Sequence, residues 1–165
     1  MQTLVLLLVA VLAVGGCASV APPAPSAPPA PADQRAAVPA ALTIERRWLQ
    51  SWFEATPVLM AQRNDGAVTV EVPREFCFEP GRSKVKPALA VVLDKLAESL
   101  RRVPLARLPL LAAPGDASGI SPLALQRAIQ VQKHLLSRGV SAAHLGPPTA
   151  TAAAAVQLRM EAAPP

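Results

Sequence analysis

The sequence contains few aromatic side chains and no tyrosine. Three phenylalanines and two tryptophans are spread over 165 residues. Because single-stranded nucleic acids are usually held by bases that stack on aromatic rings, a nucleic-acid-binding platform is not expected. The chain is also short, long enough for one domain with a modest core and too short for two.

The motifs on which most enzyme and metal sites depend are missing as well. No nucleophile motif of the Gly-x-Ser-x-Gly kind is present, and there is no phosphate-binding loop. The two histidines, His134 and His144, lack metal-ligand spacing, and we expect both to face solvent. We therefore expect a non-enzyme that holds no metal and needs no cofactor.

Charge is absent from the first part of the chain and mainly positive in the rest. No charged side chain precedes Asp33, whereas the whole chain has 16 Lys and Arg against 11 Asp and Glu, a net charge of +5. Such a charge favours anionic partners, for example lipid headgroups or an anionic polymer. The basic residues are scattered, so solvated faces are favoured over one dedicated anion patch.

The N-terminus has the pattern of a secretory leader. Residues 4–14 form an uninterrupted apolar run, too short for a transmembrane helix of about 20 residues but suited to the core of a signal peptide. Small residues follow in Val14-Gly15-Gly16-Cys17. This segment resembles the lipobox of bacterial lipoproteins, although Met1-Gln2-Thr3 lacks the usual Lys or Arg. The alternative is an ordinary secretory leader with an incidental cysteine.

The lipobox resemblance implies a signal peptide over residues 1–16 and a lipidated Cys17 that carries palmitate-type acyl chains. Several acyl chains hold a protein firmly on a membrane, because each buried methylene contributes about 0.8 kcal/mol. Ala18 stands where an aspartate would be expected for the inner membrane, so the chain resembles the outer-membrane class. The implied location is the periplasmic face of the outer membrane.

Residues 17–41 are rich in alanine and proline, and seven of the 19 prolines of the chain lie between Pro22 and Pro39. Proline lacks the amide donor and clashes with a preceding helical turn, so this segment is predicted to be a non-helical linker. In the polyproline II conformation it would reach roughly 60–70 Å. The predicted order is anchor, semi-rigid spacer and domain, with a plain disordered linker as the alternative.

A short helix is predicted at the start of the folded part. Residues 42–55 place Trp48 and Trp52 on one wide apolar face, and Thr43 is the predicted N-cap. This face either packs on the domain or binds a partner, and packing is favoured. Residues 42–65, which contain this helix and the first hairpin strand, precede the main domain at residues 66–162.

The main domain is predicted to alternate strands and helices. A period of two marks strands and a period of 3.6 marks helices. The predicted strands are residues 57–62, 67–72, 76–78, 107–112 and 155–160, the predicted helices are residues 87–102 and 123–138, and residues 146–152 are a predicted loop. Helices between strands imply an α+β fold, a β-α-β-α-β sandwich whose sheet has parallel pairs and helices on one face.

Several single residues refine these elements. Phe76 and Phe78 are expected on one side of their strand, which leaves Cys77 as a small buried hydrophobe or, less favoured, as the site of an intermolecular disulfide. Pro109 is expected to make its strand irregular or to place it at a sheet edge. Gly139 is expected to end the second long helix as its C-cap.

Three motifs of the domain are similar to those of one known family. The stretch 76–87 looks like a strand ending in Phe-x-Phe, a small-residue turn and a proline that opens a helix. Asp116-Ala117-Ser118-Gly119 is similar to an Asp-x-x-Gly loop. A second-helix signature is matched by Arg127-Ala128, Val131, Leu135 and Gly139-Val140. Over residues 66–161 these motifs resemble the OmpA-like peptidoglycan-associating domain.

The resemblance implies a binding site for the diaminopimelate residue of the peptidoglycan peptide stem. Asp116 would accept the ammonium group, and Arg127 would hold the carboxylate in a bidentate pair, with Gly119 as a further candidate. Both charged side chains are expected to be partly exposed.

The pair is surrounded by departures from the family pattern. Ala113-Pro114-Gly115-Asp116 stands where Gly-His-Thr-Asp is usual, Ile120 stands where Asn is usual, and the loop that follows is shorter. Two functions remain open. The chain is an outer-membrane lipoprotein that binds peptidoglycan non-covalently and tethers envelope layers, or it is an envelope or secretion-system assembly lipoprotein whose degenerate OmpA-like domain does not bind peptidoglycan.

Overall fold

The computed structural model describes residues 31–117 and 119–164. The predicted signal peptide, Cys17 and most of the predicted linker lie outside these residues. The helices are α1 (Pro31–Ala36), α2 (Val38–Trp52), α3 (Arg74–Cys77), α4 (Pro87–Arg102) and α5 (Pro122–Ser137). The strands are β1 (Leu59–Gln62), β2 (Val68–Pro73), β3 (Ala106–Pro114), β4 (Pro148–Thr151) and β5 (Ala155–Ala162). Within the described ranges, no helix is both long enough and apolar enough to cross a membrane.

The five strands form one sheet in the order β1-β2-β5-β3-β4. All neighbours are antiparallel except β3 and β4, so the sheet has one parallel pair where the sequence predicted more. Val70, Leu158 and Leu111 lie side by side across β2, β5 and β3, and all three are buried. Gln157 and Arg159 on the opposite face are partly exposed. The helices thus cover one face, and the predicted α+β class is confirmed.

The two long helices form as predicted. Pro87 opens α4 at the first helical position, where a missing amide hydrogen costs nothing. The side chain of Ser121 caps α5 by accepting a hydrogen bond from the Ala124 amide at 3.2 Å. Gly139 follows α5 with a positive φ of 83°, as its role in the C-cap requires. The apolar stripe that predicted α4 is buried throughout: Leu89, Val92, Leu93, Leu96, Leu100 and Val103.

Strand β3 is irregular but lies inside the sheet. Its register against β5 shifts between Arg107 and Leu110, at the position of Pro109. The predicted irregularity is confirmed, whereas the alternative of an edge strand is wrong because β4 pairs with the other side of β3. The edge position belongs to β4, which falls within the predicted loop 146–152. It was missed because four residues with a leading proline carry no alternating apolar pattern.

The helical region begins earlier than predicted. Residues 31–41 were predicted to be linker, yet they form α1 and the start of α2. Pro39 is tolerated because it lies in the first turn of α2, and Val38 gains burial in the core. Thr43 is therefore not the N-cap. It lies inside the helix, where its hydroxyl donates to the carbonyl oxygen of Pro39 at 3.0 Å.

An ion pair fastens α2 to α4. The guanidinium of Arg102 donates to both carboxylate oxygens of Glu45, at 2.9 and 2.6 Å, and also approaches Glu98 at 3.9 Å. Burial raises the pKa of Glu45, but hydrogen bonds from Arg102 and Ser99 and the charge of Arg102 outweigh burial and hold that pKa below its ordinary value. The carboxylate therefore stays charged at neutral pH and keeps the N-terminal helix on the domain.

The segment around Cys77 differs from the predicted strand. Residues 74–77 form one helical turn, closed by the Phe78 amide donating to the Arg74 carbonyl at 3.1 Å. Phe76 is consequently 40 % exposed while Phe78 is buried, so the two rings do not share a side. Cys77 is buried, as expected, and burial raises the pKa of its thiol to about 12. An accessible thiolate for disulfide formation is thus disfavoured.

Truncation of Leu96 tests the core. Leu96 is completely buried in α4, so Leu96→Ala is expected to lower the free energy of unfolding by about 2–5 kcal/mol. Leu125→Ala makes the same chemical change at a side chain that is 43 % exposed on α5, and it should change stability by about 1 kcal/mol or less. Urea unfolding followed by circular dichroism measures both. Equal losses would contradict this assignment of the core.

Candidate functional site

Asp116 and Arg127, which the sequence singled out, meet in the structure. Asp116 lies in the loop that follows β3, and Arg127 lies in the second turn of α5. Because Ser121 caps α5 directly after this loop, the helix returns Arg127 to the end of β3. Nη2 of Arg127 donates to Oδ1 of Asp116 at 2.5 Å. The shorter loop thus does not separate the two residues.

Arg127 is completely buried, which corrects the expectation of partial exposure. Besides Asp116, its guanidinium donates to three backbone carbonyl oxygens, those of Arg82 at 2.9 Å, Pro114 at 3.0 Å and Glu79 at 3.0 Å. The guanidinium carbon also lies 4.8 Å from the centre of the Phe78 ring. A buried cation is stable only when its donors are satisfied, and these contacts satisfy Arg127 from within the protein. Its guanidinium is consequently not presented to a ligand.

Asp116 is the exposed member of the pair, with 40 % of its side chain accessible. Oδ2 accepts a hydrogen bond from the Gly81 amide at 2.5 Å. This bond, followed by the hydrogen bond from Arg127 and the charges of Arg127 and Arg74, lowers the pKa of Asp116 below its ordinary value and outweighs the effect of desolvation. Asp116 is therefore a fixed anion whose free surface can accept an ammonium group.

Arg74 also holds this loop and was not found from the sequence. Its Nη1 donates to the carbonyl oxygens of Gly115 at 3.0 Å and of Asp116 at 2.5 Å. No local pattern could indicate this contact, since Arg74 and Asp116 are 42 positions apart in the chain. The loop is thus held at two points, its backbone by Arg74 and the Asp116 carboxylate by Arg127.

Gly119 lies further along the same loop, and Ser118 lies outside the described residues. Gly119 has a φ of 104°, a conformation in which side chains are strained. No atom lies within 4 Å of the place a Cβ would occupy. Glycine is therefore required by the positive φ and not by a close contact. Its role in ligand binding stays a prediction.

The two tryptophans of α2 have different environments. Trp48 is half-buried against the core, and the guanidinium carbon of Arg102 lies 3.8 Å from the centre of its ring. Trp52 is 54 % exposed, with Nζ of Lys95 at 4.1 Å from its ring centre. The favoured interpretation, packing on the domain, thus holds for Trp48. The exposed ring of Trp52 borders an apolar cavity of about 360 Å³ that is also lined by Phe76 and Val91.

His134 is not the solvent-facing residue expected from the sequence. Its Nε2 lies 2.6 Å from Oδ1 of Asp94, and its side chain is only 18 % exposed. Asp94 also accepts from Nε of Arg138 at 2.7 Å. In the part of the chain that the structure describes, no group of three or more His, Cys, Asp or Glu residues is arranged to hold a metal ion.

The sequence matches no protein-family model and no curated protein. The fold, in contrast, is similar to several solved structures. A putative MotB-like protein from Desulfovibrio vulgaris matches with a TM-score of 0.61 and 15% identity, over 79% of this chain and 97% of that one. The periplasmic domain of Helicobacter pylori MotB (residues 97–256) matches with a TM-score of 0.53 and 15% identity, over 64% and 85%.

A third similar structure is the cell wall anchor of the T6SS from Pseudomonas aeruginosa. It matches with a TM-score of 0.54 and 17% identity, over 72% of this chain and 96% of that one. At such identities the likeness establishes the fold alone. That fold is the one that the motifs around residues 76–87, Asp116 and Arg127 predicted.

Removal of the Arg127 side chain tests its structural role. Arg127→Ala removes one donor from each of three carbonyl oxygens and leaves a cavity beside Phe78, so the free energy of unfolding should fall by about 2–5 kcal/mol. Arg127→Lys should recover only part of the loss, because an ammonium group cannot reproduce the planar fork. Arg47→Ala, at an exposed arginine of α2, is the control. Wild-type stability in urea for Arg127→Ala would show that these bonds do not support the fold.

Proposed function

We propose that this protein is an outer-membrane lipoprotein whose OmpA-like domain binds peptidoglycan non-covalently and so tethers the envelope layers. It acts as a binding protein and not as an enzyme. The observation that carries the proposal is the state of Asp116, a charged and exposed carboxylate held rigidly at the loop where the family resemblance expects the ligand. The ligand group is the ammonium of the diaminopimelate in the peptide stem.

Arg127 has a different role in this proposal from the one the resemblance implied. Four of its contacts are to the protein itself, and none of its surface is exposed. A ligand carboxylate can reach it only if the loop at Asp116 or the segment 79–82 moves away. We therefore assign Arg127 as a positioning residue that orients Asp116 and keeps it ionised, while Asp116 makes the contact with the ligand.

The cell-wall assignment has support of two further kinds. One similar structure is described as a cell wall anchor, and another is the periplasmic domain of a MotB protein. The chain also begins with a segment that resembles a lipoprotein leader and continues with an Ala/Pro-rich stretch. An anchored domain on a spacer is suited to contact a polymer that lies at a distance from the membrane.

The burial of Arg127 favours one alternative. If a diaminopimelate site needs a free guanidinium for the carboxylate, this chain has lost it. The domain would then be a degenerate OmpA-like module that assembles with envelope or secretion-system proteins. The two functions differ in a single measurable property, the affinity of the domain for the cell wall.

Lipidation at Cys17 is tested by substitution. Cys17→Ser removes the thiol that would carry the lipid, so the variant should remain unlipidated and leave the membrane fraction. Fractionation of cells and labelling with a palmitate analogue measure the effect, and Cys77→Ser is the control because its thiol is buried. A Cys17→Ser protein that still labels and still sediments with membranes would contradict the lipoprotein assignment.

Peptidoglycan binding is tested by sedimentation with purified sacculi of the diaminopimelate type. Asp116→Ala should weaken binding by about tenfold, since a charged contact to the ligand is lost. Asp65→Ala is a matched control: Asp65 is also an exposed loop carboxylate, accepts from a backbone amide at 3.0 Å and pairs with Arg159 at 2.5 Å. It should bind as the wild type does.

Circular dichroism and thermal melting of each variant show whether the domain remains folded. Equal sedimentation of the wild type and the folded Asp116→Ala variant would contradict the proposed role of Asp116. A wild-type protein that does not sediment with sacculi would favour the assembly function instead.

A further inference from the structure

A polar groove lies beside the Asp116 site, between α5 and the segment that precedes α4. Its volume is about 470 Å³. The polar residues that line it are Ser83, Lys84, Gln130, Lys133, His134 and Ser137. Nothing in the proposed function uses this groove.

The groove contains two lysines without a counter-ion. Lys84 and Lys133 are both exposed, and within the described residues neither makes an ion pair or a hydrogen bond. The other two lysines of the chain are paired, Lys86 with Glu79 at 2.9 Å and Lys95 with Glu98 at 3.0 Å. Two like charges at one groove repel each other, and an anion bound between them would offset that repulsion. The groove thus contains positive charge that no described side chain neutralises.

The nearby carboxylate does not neutralise this charge. Asp94 is already engaged by His134 at 2.6 Å and by Arg138 at 2.7 Å. The amide of Gln130 and the hydroxyl of Ser83 also have no partner among the described side chains, and they supply neutral hydrogen-bond donors to the same groove. A ligand with negatively charged oxygens would satisfy all four groups.

The groove adjoins the contacts that hold Asp116. Arg127 donates through Nε to the carbonyl oxygen of Arg82 at 2.9 Å, and the groove begins at the next residue, Ser83. Along α5, Gln130 and His134, which line the groove, follow Arg127 by three and seven residues and so lie on the same side of the helix. An anion that accepts ammonium and a pair of free cations therefore belong to neighbouring parts of the chain.

We propose that the groove between Lys84 and Lys133 is the second half of the same site and binds the free carboxylates of a peptide stem whose ammonium group lies on Asp116. The inference rests on the proposed function and adds a second contact, between the groove lysines and the stem carboxylates. Lysines suit this task because an ammonium on a flexible stem can follow a mobile carboxylate without a fixed bidentate geometry. The buried Arg127 is then not required as the carboxylate partner.

The test uses a soluble probe, a synthetic diaminopimelate-containing stem tetrapeptide, in two forms. One form has free carboxylates, and in the other the glutamate and C-terminal carboxylates are amidated while the diaminopimelate ammonium is kept. Lys84→Gln/Lys133→Gln should bind the free-carboxylate peptide about tenfold more weakly than the wild type at low salt, and the difference should shrink at 0.5 M salt. Calorimetric titration measures the Kd values.

The control carries the same change of net charge elsewhere. Arg47→Gln/Arg63→Gln removes two exposed arginines whose side chains make no ion pair within the described residues. It should bind the free-carboxylate peptide as the wild type does. The wild type should discriminate about tenfold between the two peptides, and the double lysine variant should lose that discrimination because it lacks the groove cations.

The outcomes separate the two proposals. If Asp116→Ala loses binding and the folded lysine variant binds like the wild type, the groove inference is wrong and the proposed function stands. If the lysine variant loses binding while Asp116→Ala does not, the groove is confirmed as an anion site and the role of Asp116 is wrong. A wild type that binds neither peptide overturns both.

Discussion

The buried guanidinium of Arg127 is the contact on which the geometry of this site depends. One side chain of α5 bonds to the segment 79–82, to the end of β3 and to Asp116. Because each unsatisfied donor or acceptor in the interior would cost free energy, the three parts of the chain can move only together. The loop at Asp116 therefore has a defined position even though it departs from the family pattern at most of its residues.

The burial of Arg127 shows that the two motif residues have different roles, which the motif alone does not distinguish. An Asp and an Arg in motif positions suggest two ligand contacts of opposite charge, whereas here Arg127 is buried and donates a hydrogen bond to Asp116. The cost of burying a cation is offset by its four bonds, and the result is an anion with a lowered pKa at the surface. Lys84 and Lys133 remain unpaired within the described residues while the other two lysines do not, which is why the proposed carboxylate contact is assigned to them.

Sequence patterns predicted those parts of the fold that depend on local periodicity. α4 and α5 were found because their apolar residues recur at helical spacing, and β2 and β5 because theirs alternate. The predicted strand at residues 76–78 overlaps a helical turn at residues 74–77, since three residues carry no period that separates the two structures. The burial of Arg127 could not be predicted either, because its carbonyl partners Glu79 and Arg82 lie 48 and 45 positions away.

The early start of the helical region changes the reach of the proposed tether. Residues 31–41 were assigned to the spacer on account of their prolines, but Pro39 falls in the one turn where a helix accepts it. The described helices then leave residues 17–30 for the extended spacer predicted from the sequence. In the polyproline II conformation expected from their sequence they would span roughly 40 Å instead of 60–70 Å. The ion pair of Glu45 with Arg102 holds α2 on the domain. Unfolding α2 would lengthen the spacer, but it would break this contact. A lipid-anchored domain of this kind would work close to its membrane, where only the nearest layer of a polymer is in reach.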